Sequence, residues 1–265
     1  MKSLRPFFTY YGGKWRIAKS YPTPRHDLLV EPFAGAAGYA MRYPDRRVHL
    51  IDADEIIIGI WNYLIDVSES EIEALPDVPE GGTVHDVEWP CIEARWLAGV
   101  WLTGAATRPN LSASAWARDE RSRRWFWGDG VRRRITEQLP AIRHWTAEVG
   151  DYRRIRDVEA TWFIDPPYIV KGHYYRKHDI DYGHLAEWCR SRRGQVIVCE
   201  NVGAEWLPFR FHRRAKANES ASGGKVSVEA IWTNEPLPGG KQVGDTLDFS
   251  ESVAWLYNRS TTLDT

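Results

Sequence analysis

The chain has 265 residues, of which 43% are hydrophobic, and its 35 basic and 36 acidic side chains give a formal net charge of −1. This length fits one α/β domain with a sizeable insertion. The longest apolar stretch, 56–65, is interrupted and shorter than the roughly 20 residues that cross a bilayer, which excludes a membrane-spanning protein. The amino terminus has no apolar core after its positive charge, so we expect no signal peptide.

The three cysteines favour a reducing, cytoplasmic location. Cys91, Cys189 and Cys199 lie far apart, in a pattern that fits neither a disulfide framework nor a zinc site.

The first notable segment is an aromatic run, Phe7-Phe8-Thr9-Tyr10-Tyr11, followed by Gly12-Gly13-Lys14. It combines a stacking surface, a flexible backbone and a cation within a few residues. Taken alone, the segment is equally well explained as a simple turn.

A strand, a turn rich in small residues and a helix start come next. Residues 26–30 predict a short strand, 31–38 form the turn, and 39–42 predict the beginning of a helix. Small residues let the backbone approach a ligand, and free N–H groups in such a turn favour an anionic or strongly polar group. A tight strand-to-helix connection without a ligand is the alternative.

The next strand, 47–51, ends in Asp52, roughly twenty residues after the turn begins. From that position an acidic side chain can hydrogen-bond ribose hydroxyls, which predicts a nucleoside-containing cofactor. Alternatively, Asp52 caps the helix that begins near 54–55.

A basic and aromatic cluster lies between residues 118 and 143. Its arginines are Arg118, Arg121, Arg123, Arg124, Arg132, Arg133, Arg134 and Arg143. They are interleaved with Trp125, Phe126 and Trp127, a mixture that favours contact with phosphates over the alternative of a solvated helix face. The preceding loop, 103–114, has a composition that fits ordering on a nucleic acid.

The tetrapeptide Asp165-Pro166-Pro167-Tyr168 follows the apolar run 160–164, at the predicted carboxyl end of a buried strand. Prolines donate no N–H, so this stiff turn presents backbone carbonyls together with the Asp165 carboxylate. Acceptors followed by an aromatic ring suit an exocyclic amino group on a flat base that stacks on Tyr168. A mere strand-ending turn is the alternative.

The remaining segments predict the rest of the sheet. They comprise a helix at 182–192 and strands at 195–199 and 226–233, and residues beyond 245 are expected to fray. His173, His178 and His184 have no accompanying ligand set, so no metal is expected.

In order and spacing, these motifs resemble the Dam-like DNA adenine-N6 methyltransferases, from Tyr10 to about Asn234. The resemblance implies a Rossmann-like, S-adenosylmethionine-dependent methyltransferase sheet with an inserted, mainly helical target-recognition region. It implies a catalytic domain at 1–66 and 149–245, the insertion at 67–148 and a tail at 246–265.

The resemblance also implies roles for individual residues. The catalytic group comprises Asp165, Pro166 and Tyr168. The cofactor site comprises Tyr10, Lys14, Glu31, Phe33, Gly35, Asp52, Asp151, Tyr152 and Asp165, with Lys14 suited to the carboxylate of the cofactor. The predicted DNA contacts are Arg121, Arg123, Arg124, Arg132, Arg133, Arg134 and Lys225. One departure from the family is Ala37, which occupies a position where many relatives carry glycine.

The expected activity is methyl transfer from S-adenosylmethionine to adenine N6 in double-stranded DNA, with the base flipped out of the helix. No membrane and no obligate protein partner are expected. The alternatives are cytosine-N4 methylation, RNA adenine methylation and a catalytically silent DNA-binding module.

Overall fold

The computed structural model describes residues 3–104, 107–119, 125–169, 175–176, 179–216 and 226–236. Residues up to Glu235 form one compact α/β unit around a seven-stranded sheet. The predicted 246–265 tail lies outside the described residues. No helix in the described ranges is both long and apolar enough to cross a bilayer.

The strands, in chain order, are β1 Leu28–Glu31, β2 Arg47–Asp52, β3 Thr146–Val149, β4 Ala160–Ile164, β5 Gly194–Asn201, β6 Arg210–Lys216 and β7 Val226–Thr233. Their order across the sheet is β3-β2-β1-β4-β5-β7-β6. The first five strands run parallel, and β7 is antiparallel to both β5 and β6. The strand order reverses between the parallel neighbours β1 and β4, and open α/β sheets form a ligand crevice at such a point.

The helices are α1 Glu55–Asp66, α2 Glu69–Glu73, α3 Ile92–Trp101, α4 Ala115–Arg118, α5 Asp129–Thr136 and α6 Tyr182–Ser191. The segment from α2 to α5, within the predicted 67–148 insertion, contains short helices. The predicted insertion ends inside β3, which pairs with β2 as the edge strand of the sheet.

Strand β4 is buried along its whole length, as expected for a central strand covered on both faces. Trp162 packs edge-to-face on Trp188 of α6, with ring centroids 5.6 Å apart. On the opposite face, Phe163 stacks on Tyr39 at 4.2 Å. These two layers fix the end of β4, from which Asp165 emerges.

The α-helix predicted to begin at 39–42 does not form. Ala40–Arg42 forms only one 3₁₀ turn. The physical reason is Pro44, which disfavours helical geometry at Tyr43 and prevents the turn from extending.

Candidate ligand cleft and acceptor site

A cleft of about 360 Å³ opens beside the carboxyl ends of β1, β2 and β4. Its lining includes all the residues predicted for a cofactor: Tyr10, Lys14, Glu31, Phe33, Gly35, Asp52, Asp151, Tyr152 and Asp165. These residues are spread over more than 150 positions of the chain, and the parallel sheet brings them to one edge.

The turn after β1 is folded tightly against the Gly12-Gly13-Lys14 segment. Gly35 has a φ of +46°, and a Cβ there would lie 3.1 Å from Cδ1 of Tyr10. A Cβ on Gly38 would lie 2.6 Å from the backbone nitrogen of Trp15. Ala37 has a φ of +49°, in the left-handed region that favours glycine, so the departure from the family pattern coincides with a strained residue.

The turn and the residues after it offer fewer free N–H groups to an anion than predicted. The Ala34 and Ala37 N–H groups bond to carbonyls within the chain. The Gly35 N–H donates to Asp52, and the Ala40 N–H donates to Oε1 of Glu31 at 2.6 Å. Carboxylates of the chain itself thus take positions that a ligand anion would need.

Glu31 is buried at the floor of the cleft, with 2% of its surface exposed. Burial raises the pKa of Glu31 to about 8, and the negative charge of Asp165 acts in the same direction, whereas the hydrogen bond from Ala40 opposes it. Its carboxyl group would therefore become ionised most readily beside a bound cation.

Asp52 bridges the turn and the start of α1. One carboxylate oxygen accepts the Gly35 N–H and the other accepts the Asp54 N–H, each at 2.9 Å. The residue that caps α1 is Asp54, whose side chain accepts the Ile56 N–H, so the helix-capping alternative for Asp52 is wrong. Burial raises the pKa of Asp52 to about 6, although the backbone donors oppose this rise.

Asp151 and Tyr152 also line the cleft. The Tyr152 ring lies 5.6 Å from the Phe33 ring, and its hydroxyl lies 3.1 Å from Nδ1 of His184. Asp151 forms an ion pair with Arg153. Phe33 and Tyr152 thus pack against each other and give the cleft lining an apolar surface.

Two further residues, Tyr175 and Arg176, line the cleft although no predicted cofactor motif included them. The Tyr175 ring lies 6.1 Å from the Tyr10 ring, and its hydroxyl donates to the Tyr11 carbonyl at 3.3 Å. Arg176 forms an ion pair with Asp54 at 2.7 Å. His173 and His178 lie outside the described residues.

The acceptor site adjoins the cleft, where Lys14 and Asp165 form a buried ion pair. Nζ of Lys14 lies 3.0 Å from Oδ1 of Asp165, 3.1 Å from the Gly12 carbonyl oxygen and 4.6 Å from the centre of the Tyr168 ring. Burial alone would lower the pKa of Lys14, but the charges of Asp165 and Glu229 outweigh burial and raise it. Lys14 therefore stays cationic and reaches Asp165.

The Asp165 carboxylate is largely buried and lies against the Lys14 cation. Among the described residues, no well-oriented hydrogen bond reaches its Oδ1, although Lys14 is close. Burial raises the pKa of Asp165, against the opposing effect of the Lys14 charge. The Pro167 carbonyl accepts the Tyr182 hydroxyl at 2.5 Å, whereas within the described chain no donor bonds to the Pro166 carbonyl. Of the two predicted acceptors, the Pro166 carbonyl has no donor within the described chain, whereas Oδ1 of Asp165 faces the Lys14 cation.

Tyr168 is held by a residue that no motif indicated. Its hydroxyl donates to Oε2 of Glu229 at 2.7 Å. The only sequence signal for Glu229 is a carboxylate inside the otherwise apolar and small-residue strand β7.

The predicted DNA-contacting arginines differ in their exposure and in their partners. Arg132 is 6% exposed and pairs with Asp77 at 2.5 Å and with Asp129, an arrangement typical of a structural residue. Arg134 lies over the Trp101 ring at 4.8 Å, and burial lowers its pKa. Arg133 is exposed on α5. The remaining predicted contacts, Arg121, Arg123, Arg124 and Lys225, lie outside the described residues.

The aromatic residues of the cluster also differ in their exposure. Phe126 and Trp127 are buried, and Nε1 of Trp127 donates to the Pro76 carbonyl at 2.9 Å. Trp125 is 51% exposed. In the preceding loop, Asn110 bonds to Thr103 at 2.7 Å, so part of that loop is held by the chain's own contacts.

Comparisons with known proteins give little further information. No protein-family model matches the chain, and no curated protein matches it. Among solved structures, a conserved hypothetical protein of Streptococcus pyogenes is 10% identical, with a TM-score of 0.33 over 78% of this chain and 86% of that one. A candidate methyltransferase of Escherichia coli, yhhF, is 8% identical, with a TM-score of 0.30 over 77% and 74% of the two chains. Scores this low do not establish a shared fold, so function is inferred from the site alone.

Proposed function

We propose that this protein is an S-adenosylmethionine-dependent methyltransferase that modifies adenine N6 in double-stranded DNA. The observation that carries the proposal is the position of Asp165. Its buried carboxylate lies at the boundary between the ligand cleft and the Tyr168 ring, with Lys14 3.0 Å away. One group thus faces both a cofactor site and a site for a flat amine.

The cleft residues suit the proposed cofactor. Its volume of about 360 Å³ lies within the range of small-molecule sites. Asp52 would accept ribose hydroxyls, the packed rings of Phe33 and Tyr152 would present an apolar surface to the adenine ring, and the carboxyl group of Glu31 would face the cationic end. Bound there, S-adenosylmethionine supplies a methyl group activated by a sulfonium.

The acceptor site would act by positioning and electrostatics. An adenine amino group is a poor nucleophile because its lone pair is delocalised into the ring. Asp165 and the Pro166 carbonyl would accept its two N–H bonds and favour a pyramidal nitrogen with a localised lone pair. Tyr168 would stack on the base, and the proton would leave through Asp165 or directly to water.

The Lys14 ammonium has the contacts that a bound amino group would make, because it lies close to Asp165 and over the Tyr168 ring. This is the arrangement expected of a site built for an N–H donor above an aromatic face. A base in duplex DNA must be flipped to reach the site, at a cost of a few kcal/mol that stacking and hydrogen bonds offset.

The test is product analysis. When purified protein is incubated with methyl-labelled cofactor and unmodified genomic DNA, digestion of the DNA should yield labelled N6-methyldeoxyadenosine. Asp165→Ala should slow methyl transfer by at least about 100-fold while cofactor binding remains measurable.

Other outcomes would replace the proposal. N4-methylcytosine would identify a cytosine enzyme, and label in RNA alone would identify an RNA enzyme. Cofactor-independent duplex binding without any labelled product would identify a silent binding module.

A further inference from the structure

Glu229 is a carboxylate buried in the antiparallel part of the sheet. It is 5% exposed, and its strand neighbours Ala230 and Ile231 are each 1% exposed. Burying a carboxylate is unfavourable unless hydrogen bonds or charges compensate it. A hydrophobic residue at this position of β7 would satisfy the core equally well, so the carboxylate requires another explanation.

The contact with Tyr168 supplies that explanation. Glu229 pairs in register with Asn201 of β5, which is the last residue of that strand. From there its Oε2 accepts the Tyr168 hydroxyl at 2.7 Å. The hydrogen bond therefore passes over the end of β5 and joins the turn after β4 to β7.

This connection restricts the ring of Tyr168. A tyrosine on a turn can rotate about two side-chain bonds, and an anchored hydroxyl removes most of that freedom. The ring is fixed at its far end by Glu229, and Lys14 lies over its face at 4.6 Å from the centre.

We propose that Glu229 is a positioning residue that holds the Tyr168 ring in the plane on which the target base stacks. The inference rests on the proposed methyltransferase function. Glu229 does not touch the base or the cofactor in this role; it acts through the phenol of Tyr168. Misplacing a stacking surface by about 1 Å is sufficient to slow a positioned reaction by around 100-fold.

The test compares four variants in single-turnover methyl transfer to unmodified genomic DNA at saturating cofactor. Glu229→Ala removes the acceptor, Tyr168→Phe removes the donor, and the double variant removes both. Glu229→Gln keeps an acceptor of the same size without the charge. Glu235→Ala is the matched control, because Glu235 follows β7 and pairs with Arg25 at 3.0 Å, away from the acceptor site.

We expect Glu229→Ala and Tyr168→Phe to slow transfer by similar factors, roughly 10- to 100-fold, and the double variant to be no slower. Glu229→Gln should recover most of the rate. Cofactor affinity should change less than about twofold in all variants, and Glu235→Ala should transfer at the wild-type rate.

Three results would overturn the inference. The first is a wild-type rate in Glu229→Ala. The second is a double variant that is slowed by the product of the factors measured for the two single variants. The third is a loss of cofactor affinity and melting temperature parallel to the loss of rate, which would identify a purely structural residue. A wild-type protein that transfers no methyl group would instead refute the proposed function, and this inference with it.

Discussion

Lys14 and Asp165, 151 positions apart in the chain, form a buried ion pair with 3.0 Å between Nζ and Oδ1. From the sequence, Lys14 is predicted to bind the carboxylate of a cofactor, and Asp165 is predicted to bind a substrate amine. Their contact joins those two roles, since the cation that closes the Gly12-Gly13-Lys14 segment is also the counter-ion of the acceptor.

Replacing Lys14 should therefore change the pH dependence of methyl transfer. In Lys14→Gln the pKa of Asp165 should rise further, because burial is no longer opposed by a positive charge. The carboxylate form then requires a higher pH, and the acidic limb of the rate profile should move upward. The rate against pH measures this shift, with Lys19→Gln, at an exposed lysine nearby, as the control. If the acidic limb does not move, the charge of Lys14 does not control the ionisation of Asp165 during methyl transfer.

Asp52 should couple the cofactor site to the stability of its turn. Asp52→Asn replaces one carboxylate oxygen by an N–H₂ donor that faces a backbone N–H, of Gly35 or of Asp54. We expect S-adenosylmethionine binding to weaken by about 1 to 3 kcal/mol and the melting temperature to fall. Titration calorimetry and thermal melting measure the two effects, and Asp27→Asn, at a surface ion pair, should change neither.

The same carboxylate predicts the pH dependence of binding. With a pKa of about 6, Asp52 loses charge, and with it acceptor capacity, as the pH falls through that value. Wild-type affinity should therefore decline between pH 7 and pH 5. Equal affinity at both ends of this interval would argue against ribose contact by Asp52.

Glu31 should make the ligand-free protein less stable as the pH rises. Its folded-state pKa of about 8 lies above the ordinary 4.5, so the folded chain binds a proton that the unfolded chain releases. Its contribution to stability is greatest below about pH 4.5 and declines up to about pH 8. Glu31→Gln keeps the acceptor for Ala40 without a titrating group. The difference in melting temperature between variant and wild type should therefore grow in favour of the variant from pH 5 to pH 9. A constant difference would contradict the assignment.

Ala37 should be a site at which glycine stabilises the protein. Its φ of +49° costs an alanine about 1 to 2 kcal/mol, more than the extra chain entropy that glycine loses on folding. Ala37→Gly should gain about 0.5 to 1 kcal/mol in denaturant unfolding. Ala36→Gly, one residue away without a positive φ, should lose a similar amount. Destabilisation by both changes would show that the left-handed geometry at Ala37 is not strained.

The arginines of α5 should behave differently from one another. Arg133→Ala should weaken binding to any duplex and flatten its salt dependence by about one unit of log slope, because Arg133 is exposed. Arg132→Ala should mainly lower stability, by about 1 to 3 kcal/mol, because it breaks the pairs with Asp77 and Asp129. Binding across a salt series and thermal melting separate the two. If Arg133→Ala leaves every isotherm unchanged, α5 is not a DNA-contacting helix.

Local chemistry in the sequence determined the strands that form the site. The apolar run at 160–164 and the strand at 226–233 have the predicted bounds, because their residue types suit strands whatever their neighbours. The motif residues could likewise be named from spacing, since a parallel sheet brings the carboxyl ends of its strands to one edge. Strand β6 was missed because Arg210, Arg213 and Arg214 hide the alternation of an edge strand.

What the tertiary structure decided is which polar groups are already paired. The Glu31 carboxyl takes a backbone donor of the turn, Asp54 rather than Asp52 caps α1, and Arg132 is buried in ion pairs instead of facing phosphates. Glu229 reaches Tyr168 across the end of β5, whose last residue pairs with it. A sequence specifies which groups can donate or accept, but long-range packing determines the distances between them, and the short range of hydrogen bonds makes those distances decisive.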